Sequence, residues 1–294
     1  SEYHRMRGES DLAIAKLKLL VARNDSDIQS AIALVGQYVA LHKFAEASAV
    51  LNRIRSAWPR NARVLKTLGD VFELRGQVNE ALGARREALL VDGGDLALRR
   101  AVERATTGKE LLADYAISTS DALASYDAAP GSEDATSSYV LDAAAIAVYP
   151  DGSMVDRVHI LQKAIDQQGV QEIAEVSIPT GAAILKLRTL KPDGRALEPE
   201  HIEGKETLSL PGLEVGDIVE YEYLLAHPAR GVDQPGFTAS NFYFQIARQP
   251  NARSTYVVVA PAGMGLMVDA HHLKVKPAEI EGGYEVFRHE ERLV

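Results

Sequence analysis

The chain has 294 residues, 46% of them hydrophobic and 25% charged, with a formal net charge of −9 and no cysteine. That length and balance suit two soluble domains, each able to bury its own core. The negative charge argues against a general nucleic-acid binder, which needs a basic footprint on the phosphates; the missing cysteines exclude disulfides, thiolate metal sites and a cysteine nucleophile.

No apolar run approaches the roughly 18 residues of a membrane-spanning helix, so no direct membrane insertion is expected in this segment. The opening SEYHRMRGES is not a secretory signal and reads as an internal stretch, with an upstream signal or anchor expected to be missing. Ser1–Pro130 carries 18 Lys and Arg against 17 Asp and Glu, whereas the remainder has 14 against 24. A neutral front and an acidic rear predict two separate units.

The front repeats itself with a period of 34 residues. Leu34, Tyr38, Ala47, Leu51, Ile54 and Pro59 align with Leu68, Phe72, Ala81, Arg85, Ala88 and Gly93; one period earlier, His4, Gly8, Ala13, Leu17, Leu20 and Asp25 stand at the places of Tyr38, His42, Ala47, Leu51, Ile54 and Pro59. Gly8, His42 and Gly76 fall where a tight turn between two helices is expected. Ala13, Ala47 and Ala81 sit where antiparallel helices approach closely and a larger side chain would push them apart. Pro59 and the Asp92-Gly93 pair mark helix ends.

LVGQYVALHKFAEASAVLNRIRSAWP and TLGDVFELRGQVNEALGARREALLVDGG resemble the tetratricopeptide repeat. About three units cover Ser1–Gly94, and DLALRRAVERATTGKELLADYA is expected to close the array with one or two helices. The resemblance implies a superhelix whose first helices line a face that holds a protein or peptide partner. On this register Arg63, Lys66, Arg100 and Arg104 are the candidate binding residues, facing an acidic peptide or a carboxylate terminus; ordinary solvated helix charges are the alternative. The dicarboxylate-binding pattern of some members is not matched, because the equivalent second-unit positions are Gln29, Ile32 and Gly36.

SYDAAPGSEDATSS has no helical stripe and reads as a linker, giving a helical domain over 1–124, a linker over 125–138 and a β domain over 139–294. Beyond it come β-prone runs broken by turns. Pro150-Asp151-Gly152 and Pro192-Asp193-Gly194 each combine a preset φ, a side chain that closes the turn and a residue that accepts positive φ. NFYFQIARQP, STYVVVAPAG, LMVDAHHLKVK and GYEVFRHEERL are read as further strands of an antiparallel β-sandwich. The fold class is thus an α + β multidomain chain, an α-solenoid of helical hairpins followed by a sandwich.

In LPGLEVGDIVEYEYLL, Val219, Tyr221, Tyr223 and Leu225 share one face of a strand and Glu220 with Glu222 the other. Two such carboxylates serve as an acid/base pair only if one pKa is raised; the reading taken is a solvated face. Asp269, His271, His272 and His289 are too few and too divergent for a metal site, and none is expected. The chain has no Gly-x-Ser-x-Gly elbow, no phosphate-binding loop around TTGKE and no dinucleotide fingerprint, so no cofactor is expected. The NFYFQ cluster is read as alternating core burial rather than a stacking platform.

YPDG, VSIP, RTLKPDG, LPGLEVGDIVEYEY, PGF and FYFQ together resemble the bacterial domain of unknown function 3857, over Tyr139–Val294. That family precedes transglutaminase-like cores and travels with tetratricopeptide repeats. The resemblance implies an accessory sandwich in an exported bacterial protein, periplasmic or envelope-associated. Catalysis in such proteins belongs to a downstream Cys-His-Asp core, which would begin where this chain ends. The expected function is a non-catalytic scaffold, its helical groove recruiting a partner and its sandwich docking a neighbouring domain, possible in the same polypeptide. The alternatives are the regulatory front of a transglutaminase- or protease-like enzyme, and a glycan-binding sandwich.

Overall fold

Asp27, Asn61 and Asp95 each precede an apolar stripe, and in the computed structural model each caps a helix. The structure describes residues 2–24, 26–126, 135–199, 207–210, 212–230, 236–246 and 249–292. The three side chains accept the N–H groups of Ser30, Val64 and Leu98 at 3.0, 3.0 and 2.9 Å, satisfying donors that a first turn leaves without partners. The helices are α1 (Glu2–Arg23), α2 (Ile28–Ala40), α3 (Phe44–Ala57), α4 (Ala62–Leu74), α5 (Val78–Val91) and α6 (Leu96–Thr107). Short loops join α2 to α3 and α4 to α5 as helical hairpins.

One cluster runs through them, with Leu34 and Val35 of α2, Leu51 and Ile54 of α3, and Leu68 and Val71 of α4. Ala47 and Ala81 are buried, as their place in the period requires. The first unit departs from the pattern. Gly8 lies inside α1, which runs on unbroken through the expected turn and sends Ile14 and Val21 into the core. A glycine costs a helix only about 1 kcal/mol, and no proline stands nearby to enforce a break.

The other two turn positions are realised. Gly76 has φ 73° and His42, its counterpart one repeat earlier, has φ 56°. A side chain in this left-handed region costs roughly 1–2 kcal/mol, part of which glycine recovers by having no Cβ. His42→Gly is therefore expected to stabilise the helical unit by about 1 kcal/mol, read as a raised urea midpoint at unchanged slope. A lowered midpoint would mean that the edge contact of His42 with Phe44, 5.7 Å between ring centres, outweighs the backbone strain.

The chain divides into two compact units, Ser1–Gly108 and Lys109–Val294. This corrects the expected boundary at 124. Gly108, at φ 72°, ends α6, and the next stretch belongs to the second unit as a strap lying on its sheet. The strap's only helical pieces among the described residues are a single turn at Ala113–Tyr115 and α7 (Thr119–Ala124). Leu112, Tyr115, Ile117 and Ala122 explain this by burying themselves against strands rather than helices. Residues 127–134 of the expected linker lie outside the described residues, and Ser137 and Ser138 already form strand.

In the second unit β1 (Ser137–Val148), β2 (Met154–Ala164), β4 (Ala183–Leu190), β5 (Ala196–Leu197), β7 (Ile218–His227), β8 (Arg253–Pro261), β9 (Glu279–Glu281) and β10 (Tyr284–Arg292) form one sheet. Its order is β5-β4-β7-β2-β1-β8-β10-β9, while β3 (Glu175–Ser177) and β6 (Thr207–Ser209) make a two-stranded ribbon. The pairs are antiparallel except β1 with β8. The Pro-Asp-Gly turns fall between β1 and β2 and between β4 and β5, as predicted.

The sandwich is asymmetric. Over β2, β4 and β7 its second layer is the ribbon with α8 (Gln167–Ile173); over β8 and β10 it is irregular chain anchored by Phe237, Leu266 and Val275. Two expected strands are absent from the described residues. NFYFQIARQP contributes only an isolated Ile246–Gln249 bridge, and LMVDAHHLKVK forms none. Their apolar side chains, Phe244, Leu266 and Val275 among them, are spent as anchors instead of alternating along a ladder.

Candidate functional site

The carboxylates of β7 stand at the centre of a buried ion network. The register sets Glu222 between His159 of β2 and Lys186 of β4, and Glu220 beside Arg188 of β4. Arg157, two residues before His159, falls on the same face. His159 Nε2 lies 2.9 Å from Glu220 Oε1, Arg188 Nε donates to Glu220 Oε2 at 2.6 Å, and Thr119 of α7 also donates to Glu220. Arg157 Nε donates to Glu222 Oε1 at 2.7 Å and Lys186 Nζ to Glu222 Oε2 at 2.9 Å.

The strap closes the network from above. His159 Nδ1 meets the Ile117 carbonyl at 2.9 Å, and Arg157 Nη1 donates to the Leu111 carbonyl at 3.0 Å. Both ring nitrogens of His159 thus face oxygen atoms, one on the strap and one on β7. Glu220 and Glu222 are 0% and 1% exposed, so the solvated face expected from the sequence is reversed. Alternation identified residues sharing a face, but the covering strap comes from about a hundred positions earlier in the chain.

Burial acts to raise both carboxyls, yet neither rises. Hydrogen bonds from His159, Thr119 and Arg188, with the charge of Lys186, hold Glu220 at about 2. The His159 charge, the Lys186 bond and the Arg157 guanidinium likewise keep Glu222 below the ordinary glutamate range. Neither carboxyl thus has the raised pKa that an acid/base pair needs. The pair's chemistry is to fasten the strap to the sheet. The signal that sequence reading missed is that bases in β2 and β4 share the parity of the acids in β7.

The turn leading into β7 is fastened in the same manner. Asp217, 1% exposed, accepts the Glu214 N–H and the Lys191 ammonium, each at 2.7 Å, while Lys191 also donates to the Gly212 carbonyl. Pro211 lies outside the described residues.

In the helical unit, Arg63 and Lys66 of α4 line a shallow cavity of about 230 Å³ with Asp92, Asp95 and Leu98. Lys66 pairs with Asp95 at 2.6 Å. Arg100 and Arg104 lie on α6 but do not line this cavity, so the four candidate binding residues divide into a pair at the cavity and a pair away from it. The cavity mixes both signs of charge rather than presenting cations alone.

The remaining candidates are dispersed. Asp269 and His271, 3.4 Å apart, are both largely exposed, whereas His289 packs edge-on against Phe244. Among the described residues no group of three or more His, Asp or Glu side chains is placed to hold a metal, and no helix is long and apolar enough to cross a membrane. Phe242 stacks on Tyr256 at 5.0 Å and Phe244 is buried, which counts against a stacking platform at NFYFQ.

Residues 205–294 match the domain of unknown function with a solved structure, DUF3857, a shorter span than the sequence resemblance from Tyr139. No curated protein matches the chain. Among solved structures, a candidate protease from Parabacteroides distasonis ATCC 8503 is similar over 54% of this chain and 36% of its own, at 16% identity and a TM-score of 0.44. MamA is similar over 36% of this chain and 63% of its own, at 19% identity and a TM-score of 0.31. MamA from Desulfovibrio magneticus RS-1 gives 35%, 59%, 14% and 0.30 in the same order. The chain therefore spans about a third of the first of these proteins and less than two thirds of the others.

Proposed function

We propose that this chain is a non-catalytic interaction module, whose helical unit recruits a protein or peptide partner and whose β unit docks a neighbouring domain. The observation that carries the reading is the cavity between α4 and α6, where a helical-repeat array offers its inner helices to a ligand. Arg63 and Lys66 are its basic groups, and with Asp92 and Asp95 opposite they suit a partner segment bearing both charges. A periplasmic or envelope location is part of the proposal and rests on the resemblance to an exported bacterial domain. A second reading, the regulatory front of a transglutaminase- or protease-like enzyme, draws on the family match over 205–294.

The test is affinity capture from the source lysate with the full chain, identifying bound proteins by mass spectrometry, beside Arg63→Glu/Lys66→Glu. Because Lys66→Glu would repel the α6 cap Asp95, the variant's helicity is checked first. Loss of one defined partner by a folded variant is the expected result. Capture indifferent to the reversal would place recognition elsewhere than at this cavity.

A further inference from the structure

Helix α1 has two apolar faces. Ile14 and Val21 enter the core with Leu17 packed against it, but Leu12 and Leu19 are 58% and 61% exposed. With Ala15 and Ala22, also exposed, they recur at spacings of three and four and form a second stripe turned away from the first. This stripe is particular to α1. One period on, the places of Leu12 and Leu19 hold Glu46 and Arg53; two periods on they hold Glu80 and Glu87, all exposed. A further repeat ahead of α1 would not cover the stripe, because α3 and α5 each follow an earlier helical unit and still leave these positions exposed. Such a repeat would instead bury Leu20, whose counterparts Ile54 and Ala88 are buried.

The flanking charges select the occupant. Glu9 and Asp11 stand toward the start of the stripe and Lys16 and Lys18 toward its end, all exposed. With Leu12 and Leu19 at heptad position a and Ala15 and Ala22 at d, Glu9 and Lys16 fall at e, and Asp11 and Lys18 at g. An antiparallel pair of helices sets e against e and g against g. About a two-fold axis between Ala13 and Ile14, Leu12 then meets Ala15 of the second copy, Glu9 meets Lys16, and Asp11 meets Lys18. A parallel pair would instead bring Lys18 to Arg23, two like charges. Lys18 also lies 5.8 Å from the centre of the Tyr38 ring, so the Glu9–Lys16 pairs carry the test.

We propose that α1 pairs antiparallel with the α1 of a second copy of this chain, forming a two-fold dimer. Its seam is Leu12, Ala15, Leu19 and Ala22. The alanines let two 22-residue helices, each about 33 Å long, approach closely. An interface along one helix is small, so a micromolar dissociation constant is expected.

The test is sedimentation velocity of the full chain from about 1 to about 100 µM. The parent is expected to dimerise across this range. Leu12→Glu/Leu19→Arg, which installs the pair that α3 carries at the same positions, is expected to stay monomeric with unchanged helicity by circular dichroism. Glu9→Lys and Lys16→Glu are each expected to weaken the dimer about tenfold, and an equal mixture of the two to recover it, because each reversal then meets the other across the seam. A parent monomeric throughout would overturn the proposal and leave the stripe to a different protein or to a segment outside residues 1–294. A dimer that survives Leu12→Glu/Leu19→Arg would overturn it by placing the interface elsewhere. Charge reversals without effect, or a mixture that recovers nothing, would overturn the antiparallel pairing.

Discussion

Glu220→Gln is expected to lower the unfolding free energy of the second unit by about 3 kcal/mol at pH 7. The amide keeps the shape and removes the charge, leaving His159 and Arg188 without their carboxylate partner and Lys186 with Glu222 alone, in a site where Glu220 is 0% exposed. It also turns one acceptor into a donor facing other donors. The pH dependence checks the cause. Glu220 is held at about 2 when folded, against 4.5 for an ordinary glutamate. Its stabilising contribution is therefore full above about pH 5 and fades as pH falls toward 2.

Urea unfolding at several pH values should show the gap between parent and variant narrowing in acid, where protonated Glu220 resembles Gln. A gap equal at pH 7 and pH 3 would show that shape, not charge, sets the loss. Adding Arg188→Met to the variant should recover part of it, because one stranded cation is then removed. Against a total stability of about 5–15 kcal/mol, this one carboxylate decides much of whether the strap stays fastened.

Gly169→Ala is the second large effect. Gly169 sits in α8, where an added Cβ would lie 1.8 Å from the Thr136 carbonyl oxygen and 2.6 Å from its carbon. That oxygen already accepts the Ile165 N–H at 2.9 Å, so neither backbone can yield freely. α8 would have to lift, weakening its Asp166 cap on the Gly169 N–H at 2.8 Å and exposing Val170 and Ile173. A loss of about 2–4 kcal/mol is expected, seen calorimetrically as a fall of about 10 °C in the transition of the second unit. A fall under about 2 °C would mean that the contact relaxes by a small slide of the helix.

Local chemistry determined a large share of this protein by itself. The 34-residue period, the capping residues ahead of α2, α4 and α6, the small residues at Ala47 and Ala81 and the Pro-Asp-Gly turns all act over a few positions or one repeat. Each could therefore be read along the chain. Gly8 shows the limit: a residue permitted in a turn is also tolerated in a helix, and its neighbours decide. Alternation in β7 correctly grouped Glu220 with Glu222, but it cannot say which faces are covered. Only the tertiary structure decided that, by laying residues 109–126 over one face and the ribbon with α8 over part of the other. The same contacts moved the boundary to Gly108 and turned a pair of apparently solvated acids into buried ones. Burial and ion pairing depend on partners far away in sequence, and those partners become neighbours only when the sheet closes.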